Sequence, residues 1–257
     1  MEPQRLQSRQ GWEWIKQGYA LFMKAPLLWI VLLVIWFVAA IIISSVPIVG
    51  GPLASLLTPV VLAGLVSGCR ALEQGEELEL LHLFSGFKQH TSQLITLGGI
   101  TLVLQFLILG IMMLVGGGTL VSLLMDSTDP DPTALMAAVA GSAFAISLGL
   151  ALYLLLVSVM QFATLLVYFN SMQPIPAMRL TLQAFVRNIW PLLVFGVTFA
   201  FLAILATVPM GLGWFILLPM SFTSLYVSYC AMFPPVTEAA NTSLQSDAPG
   251  RDDQAHF

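Results

Sequence analysis

Apolar residues in this chain gather into long runs, and charged residues fall between the runs. Six segments, near residues 27–48, 52–72, 94–124, 134–170, 190–209 and 212–233, have no charge in their cores. Roughly 20 apolar residues in a helix cross the ~30 Å hydrocarbon layer of a bilayer, and each segment is long enough. The runs are continuous and lack a period of two, which selects helices over a β-barrel. The expected fold is an all-α, polytopic membrane helix bundle with six transmembrane helices. The fourth segment, at about 37 residues, exceeds the needed length. It is expected to tilt, or to carry its first part, Ala134 to Ala145, past the bilayer on the outer side.

Shorter amphipathic segments lie between the spans. Trp12, Ile15, Tyr19 and Phe22 recur at i, i+3, i+7 and i+10 and so share one helical face. Arg9, Lys16 and Lys24 lie off that stripe. Residues 1–26 therefore read as an interfacial helix on the inner leaflet, broken by Pro26 before the first span. Leu80 to His90 and Ala177 to Trp190 are similar segments, preceding the third and fifth spans. Residues 27–233 form the membrane domain, and the polar stretch 234–257 reads as a disordered tail.

Charge then fixes an orientation. With both termini cytoplasmic, all nine lysines and arginines fall on the cytoplasmic side. The one charged outer loop, Asp126 to Pro132, is purely acidic. Composition agrees with a membrane chain: 58% hydrophobic, 9% charged, with a mean hydropathy of +0.91. A soluble domain carries about 25% charged residues. The net charge of -4 is uninformative, because acids cluster in the tail and in one loop (Glu73, Glu76, Glu77, Glu79). No basic run resembles a nucleic-acid patch. The first apolar run is too long for a cleaved signal peptide and has no small-residue cleavage site. Cys69 and Cys230, at the cytoplasmic ends of their spans, read as packing residues, since disulfides are rare on that side.

The first and last hairpins resemble each other. Phe22-Met-Lys24-Ala-Pro26-Leu-Leu matches Phe185-Val-Arg187-Asn-Ile-Trp-Pro191-Leu-Leu, with two extra residues in the second copy. Val46-Pro47 matches Val208-Pro209, and Leu57-Thr-Pro59 matches Leu217-Leu-Pro219. Cys69 and Cys230 follow those prolines at similar distances, and Phe84-Ser-Gly-Phe87-Lys88 is a weaker middle copy. The pattern reads as three parallel units, each an amphipathic helix followed by a helical hairpin. Clustering of Pro and aromatic residues at membrane interfaces is the alternative.

Candidate chemistry is sparse. No ionisable Asp, Glu, Lys, Arg or His lies in a span core, which argues against proton-coupled transport and ion conduction. Gln105 lies about 16 Å along the third span and Gln161 about 13 Å along the fourth, both measured from the inner side. They read either as a helix–helix hydrogen bond or as contacts to a polar substrate. Pro59 and Pro219 interrupt return spans, as structural kinks or as the lining of a cavity between repeats. Gly110, Gly116, Gly117 and Gly118 face a small-residue span (Ala137, Gly141, Ala145, Gly149), for close packing or a hinge. His82 and His90, with Glu79, lack the third fixed ligand that a metal site needs. No nucleophile elbow or phosphate loop occurs, and no cofactor or metal is implied.

The opening Gly11-Trp12-x-Trp14-Ile15-x-x-Gly18-x-x-Leu21-Phe22, with Pro26 and Trp29, resembles an uncharacterised family of proteobacterial six-span inner-membrane proteins. So do Pro47-x-x-Gly50, Leu57-x-Pro59 and Leu83-Phe84-x-Gly86-Phe87. The layout is also similar to the membrane domain of some glycerophosphodiester phosphodiesterases, although no catalytic domain follows. The resemblance implies a bacterial inner-membrane location and supplies no catalytic residues. The expectation is a non-enzymatic module that binds membrane lipids or a membrane-protein partner. The path for a lipid or substrate would pass Gln105, Gln161, Pro59 and Pro219. Trp12, Ile15, Tyr19, Phe22, Lys24 and Arg187 would form the inner-leaflet interface. The alternative is a transporter or permease for an apolar or amphipathic substrate.

Overall fold

The computed structural model describes residues 3–117 and 132–234. The acidic segment Asp126 to Asp131, Gly118 and the tail from 235 onward lie outside them, as does the last part of the third expected span. In chain order the elements are α1 (Gln10–Phe22), α2 (Pro26–Ser44), α3 (Gly50–Glu73) and a 3-10 helix (Leu80–Phe87). Then come α4 (Thr91–Met112), a π turn (Met113–Gly117) and α5 (Pro132–Asn170). Last are α6 (Pro174–Arg187), α7 (Ile189–Thr207) and α8 (Trp214–Met232). Six helices, α2, α3, α4, α5, α7 and α8, are long and apolar enough to cross a membrane. The molecule is an all-α polytopic bundle, with no strand among the described residues.

Local chemistry sets the breaks. Pro26 and Pro174 sit in the first turns of α2 and α6, where a missing N–H costs nothing. The turns α2–α3 and α7–α8 share a backbone signature. After Pro47, Ile48 takes φ 67°, and after Pro209, Met210 takes φ 53°. Bulky residues rarely adopt this left-handed region, so its recurrence at matching places supports the duplication read from the sequence. The segment after α3 forms a 3-10 helix ending at Phe87. It is short and is fixed at its start by a reciprocal cap: the Glu79 backbone N–H donates to His82 Nδ1 at 2.9 Å.

The three units close into a ring. Each has an interfacial helix (α1, the 3-10 helix or α6), an outgoing span (α2, α4 or α7) and a return span (α3, α5 or α8). The return spans α3, α5 and α8 touch one another and form the centre. Within their apolar stretches, 56% of residues in α3 and α8 are buried, against 6% in α4 and α7. Each interfacial helix packs on the return span of the preceding unit: the 3-10 helix on α3, α6 on α5, and α1 on α8. The outgoing spans present exposed apolar residues such as Ile41, Phe106 and Phe201. On a soluble protein such a belt would drive association; here it is the face toward lipid.

Small residues make these seams close. A Cβ added to Gly18 of α1 would collide with the Ser224 hydroxyl on α8, and one on Gly86 with the Val60 carbonyl on α3. On α6 the buried face is Ala177, Thr181 and Ala184. The buried face of α1 accordingly differs from the expected stripe. Gly11, Trp14, Gly18 and Leu21 face the protein, one residue before Trp12, Ile15, Tyr19 and Phe22. Ile15 and Phe22 are buried beside them, whereas Trp12 and Tyr19 are about half exposed, at 47% and 46%. Hydrophobicity alone does not reveal this protein-facing stripe, because two of its four members are glycines.

The ring is sealed where its ends meet. Asn188, fully buried at the α6–α7 junction, accepts the Leu6 N–H (2.8 Å) and donates to the Gln4 carbonyl (2.8 Å). The Gln4 N–H in turn donates to the Met232 carbonyl (3.1 Å). Arg187 donates to the Pro3 carbonyl at 3.4 Å, and Lys24 donates to the Leu72 carbonyl at 2.7 Å. Both cations, expected at the leaflet interface, thus also tie chain segments together, Lys24 at the C-terminal end of α3 where a cation is favoured.

Candidate functional site

The cyclic packing leaves a cleft at each junction, where the outgoing span of one unit meets the return span of the one before. One, of about 280 Å³, lies between α2 and α8 and is lined by apolar residues including Phe37, Trp214 and Leu218. A second, of about 220 Å³, lies among α5, α7 and α8. The third, among α3, α4 and α5, is the largest of the three, at about 400 Å³.

This largest cleft is also chemically distinct. Gln105 of α4 and Gln161 of α5 both line it, with Pro59 of α3. The hydroxyls of Thr58, Thr101 and Thr164 also belong to its wall, but each donates back to the carbonyl four residues earlier, at 2.8 Å. Their donors are therefore spent within their own helices. The two amides differ: neither is hydrogen-bonded to the other or to any described residue. An amide has two donors and an accepting oxygen, and at mid-membrane depth there is little water to satisfy them. Pro59 adds an acceptor, because without its N–H the Ser55 carbonyl, also in the wall, loses its helical donor. Val61, Leu62, Leu65 and Met160 supply apolar wall, with Trp36 and the half-exposed Tyr153 beside them. A volume of 300–1,000 Å³ lined mainly by apolar groups, with a few convergent polar ones, is typical of small-molecule sites.

Three of the four path residues expected from sequence, Gln105, Gln161 and Pro59, thus come together. Pro219 does not: it is buried in α8, away from this cleft, where Thr223 one turn later donates to the Gly18 carbonyl at 2.8 Å. The proline pair therefore does not frame one symmetric cavity. Gln161 and Phe222 line both this cleft and the one among α5, α7 and α8, so the two adjoin.

Other candidates resolve into structure. Gly116 lies against Gly141 and Ala145, and Gly149 against Met112, so this seam is a close helix contact. The side chain of Ala137 lies outside the described residues. Cys69 is buried, with its sulfur 3.9 Å from the Phe222 carbonyl, and Cys230 is partly buried; neither is in a disulfide. His82 serves the cap described above, and His90 Nε2 shares a 3.0 Å hydrogen bond with Ser171 Oγ. Among the described residues no three metal-ligating side chains are grouped closely enough to hold a metal ion.

Two polar ties escaped the sequence reading. The Tyr226 hydroxyl donates to Glu73 Oε2 at 2.5 Å, and Asn170 Nδ2 donates to the Tyr229 hydroxyl at 2.9 Å. They join the ends of the three central helices. Asn188 is the other omission, and its position just before the apolar run of α7 was its only signal.

No protein-family model matches the chain, and no solved structure matches it significantly. It is similar to a probable inner membrane protein of Burkholderia thailandensis, 26% identical over 242 residues, covering 88% of this chain and 89% of that protein.

Proposed function

We propose that this integral inner-membrane protein, with both termini cytoplasmic, is a non-enzymatic accessory module that takes a lipid or another amphipathic membrane component into the cleft of Gln105 and Gln161. One observation carries the reading: two amides without partners among the described residues share an apolar-walled cleft among α3, α4 and α5. Burying such groups in hydrocarbon costs free energy unless something pairs with them. A lipid's ester or amide would supply the partner, with its chains along the apolar wall. The one-sided distribution of the basic residues supports the orientation. The sequence resemblance in layout to the membrane domain of some glycerophosphodiester phosphodiesterases is a further reason to look for a lipid ligand. A membrane-protein partner is the other ligand class for such a module.

The test is native mass spectrometry of the protein released from membranes in lipid nanodiscs, for wild type and for Gln105→Leu/Gln161→Leu. A lipid retained by wild type and lost by the variant is the expected result. Equal retention by both, or only the bulk lipid profile and no protein partner, defeats the proposal. The second reading, a transporter for an amphipathic substrate, is favoured by the adjoining clefts that share Gln161 and Phe222. Movement of the retained lipid between leaflets in reconstituted vesicles, abolished by Gln161→Leu, would select it.

A further inference from the structure

A cavity of about 480 Å³ opens on the side of the molecule that carries the interfacial helices. It is distinct from the amide cleft, with which it shares no lining residue. Its wall is made by the end of α3, the 3-10 helix and the loop after it, and the end of α5. Arg70, His82 and His90 line it, with Gln74, Gln89 and Ser171.

Arg70 is the centre of the case. Its guanidinium lies over the Phe169 ring, 5.3 Å from the centroid. The aromatic face attracts the cation without using up its N–H donors. Those donors are free: Arg70 makes no hydrogen bond to a described residue. The described ion pairs are Arg9–Glu13 and Lys16–Glu13, so no described carboxylate reaches it within ion-pair distance. Glu76 also lines the cavity, unpaired with Arg70. His82 Nδ1 is engaged by the Glu79 backbone, 2.9 Å from its N and 3.1 Å from its carbonyl oxygen, which leaves Nε2 toward the cavity. Gln74 and Gln89 add amide N–H groups.

The backbone is held to make this wall. His90 and Ser171 both adopt left-handed conformations, φ 55° and 53°, and their side chains bond each other across the cavity margin. Two non-glycine residues in this region, locked together beside an unpaired arginine, match the kind of strain that accompanies binding sites.

We infer that this cavity binds a phosphate oxyanion, with Arg70 as its anchor, Gln74 and Gln89 as further donors, and His82 and His90 at its rim. An unpaired guanidinium edge fits phosphate bidentately. The phosphate belongs to a lipid headgroup or to a small soluble phosphate compound.

The experiment uses the full-length protein in maltoside micelles, which contain no phosphate. Thermal unfolding is followed while phosphatidylglycerol or inorganic phosphate is added, with chloride at matched ionic strength as the control. Stabilisation by either ligand beyond chloride is expected, weakened about tenfold in apparent affinity by Arg70→Gln, the usual scale for a lost charged hydrogen bond. Phosphatidylglycerol alone acting assigns a lipid headgroup; inorganic phosphate acting as well assigns the site to phosphate itself. Gln89→Glu, an exposed position outside the helices, places a carboxylate in the wall and is expected to weaken binding too. It keeps the test decisive if Arg70→Gln does not fold. The inference is overturned if neither ligand exceeds chloride, or if the folded variants respond like wild type.

Discussion

Asn188 ties the N-terminal segment to the α6–α7 junction with one side chain. Replacing it with Leu leaves the Leu6 N–H and the Gln4 carbonyl without their partners. A buried polar group left unpaired costs about 1–3 kcal/mol, so a loss of several degrees in thermal unfolding is expected. Gly18→Val is expected to be as harmful for a different reason, because its Cβ collides with Ser224 and overpacking costs about 1–3 kcal/mol. A circular-dichroism melt of the detergent-solubilised variants checks both. Neither role was legible in the sequence. Asn188 is one polar residue at a junction, and its partners lie over 180 residues away. The glycines of α1 carry no hydrophobicity, so a periodicity argument passes over them and settles on the neighbouring stripe.

At the scale of elements the sequence was more informative, because the bilayer forces long, uncharged helices with few alternatives. Six helices long and apolar enough to cross a membrane are present, and the prolines that begin α2 and interrupt α3 were visible. The cleft was half legible: depth alone put Gln105 and Gln161 at a similar level, but which clefts open depends on how the outgoing spans lean. Pro59 has a testable role here. Alanine in its place restores an N–H to the Ser55 carbonyl and removes an interior helix breaker, which costs about 3 kcal/mol in a helix. Pro59→Ala is expected to raise thermal stability while lowering retention of the cleft ligand, as read by native mass spectrometry. Loss of both together would mean that the proline serves packing alone.

At the scale of the molecule, the repeat was legible as three units in a row, but their closure was not. A local motif comparison shows that units match; it does not say that α1 lies on α8. The closed ring brings the described chain ends together, through the Gln4–Met232 hydrogen bond. A circular permutant that starts at Glu76 and ends at Gly75, joined through residues 235–257, preserves the order of spans across the bilayer. It is expected to insert and to unfold within a few degrees of wild type. Failure of this permutant to accumulate in membranes would show that the natural order of synthesis matters.

The docking of α1 on α8 also gives the chain a clock. Domains emerge at about 5–20 residues per second, so α1 waits roughly 10–40 seconds for the helix it covers. Gly11 and Trp14 meet α7 and the N-terminal strap meets Asn188 earlier, but through that interval Gly18 has no Ser224 to pack on and the Gln4 N–H has no Met232 carbonyl. A nascent chain that stalls before α8 therefore displays an unsatisfied end that the finished protein hides. Completion of α8 and concealment of that end are the same event, which gives membrane quality control a single feature by which to tell a chain that has its last span from one that does not.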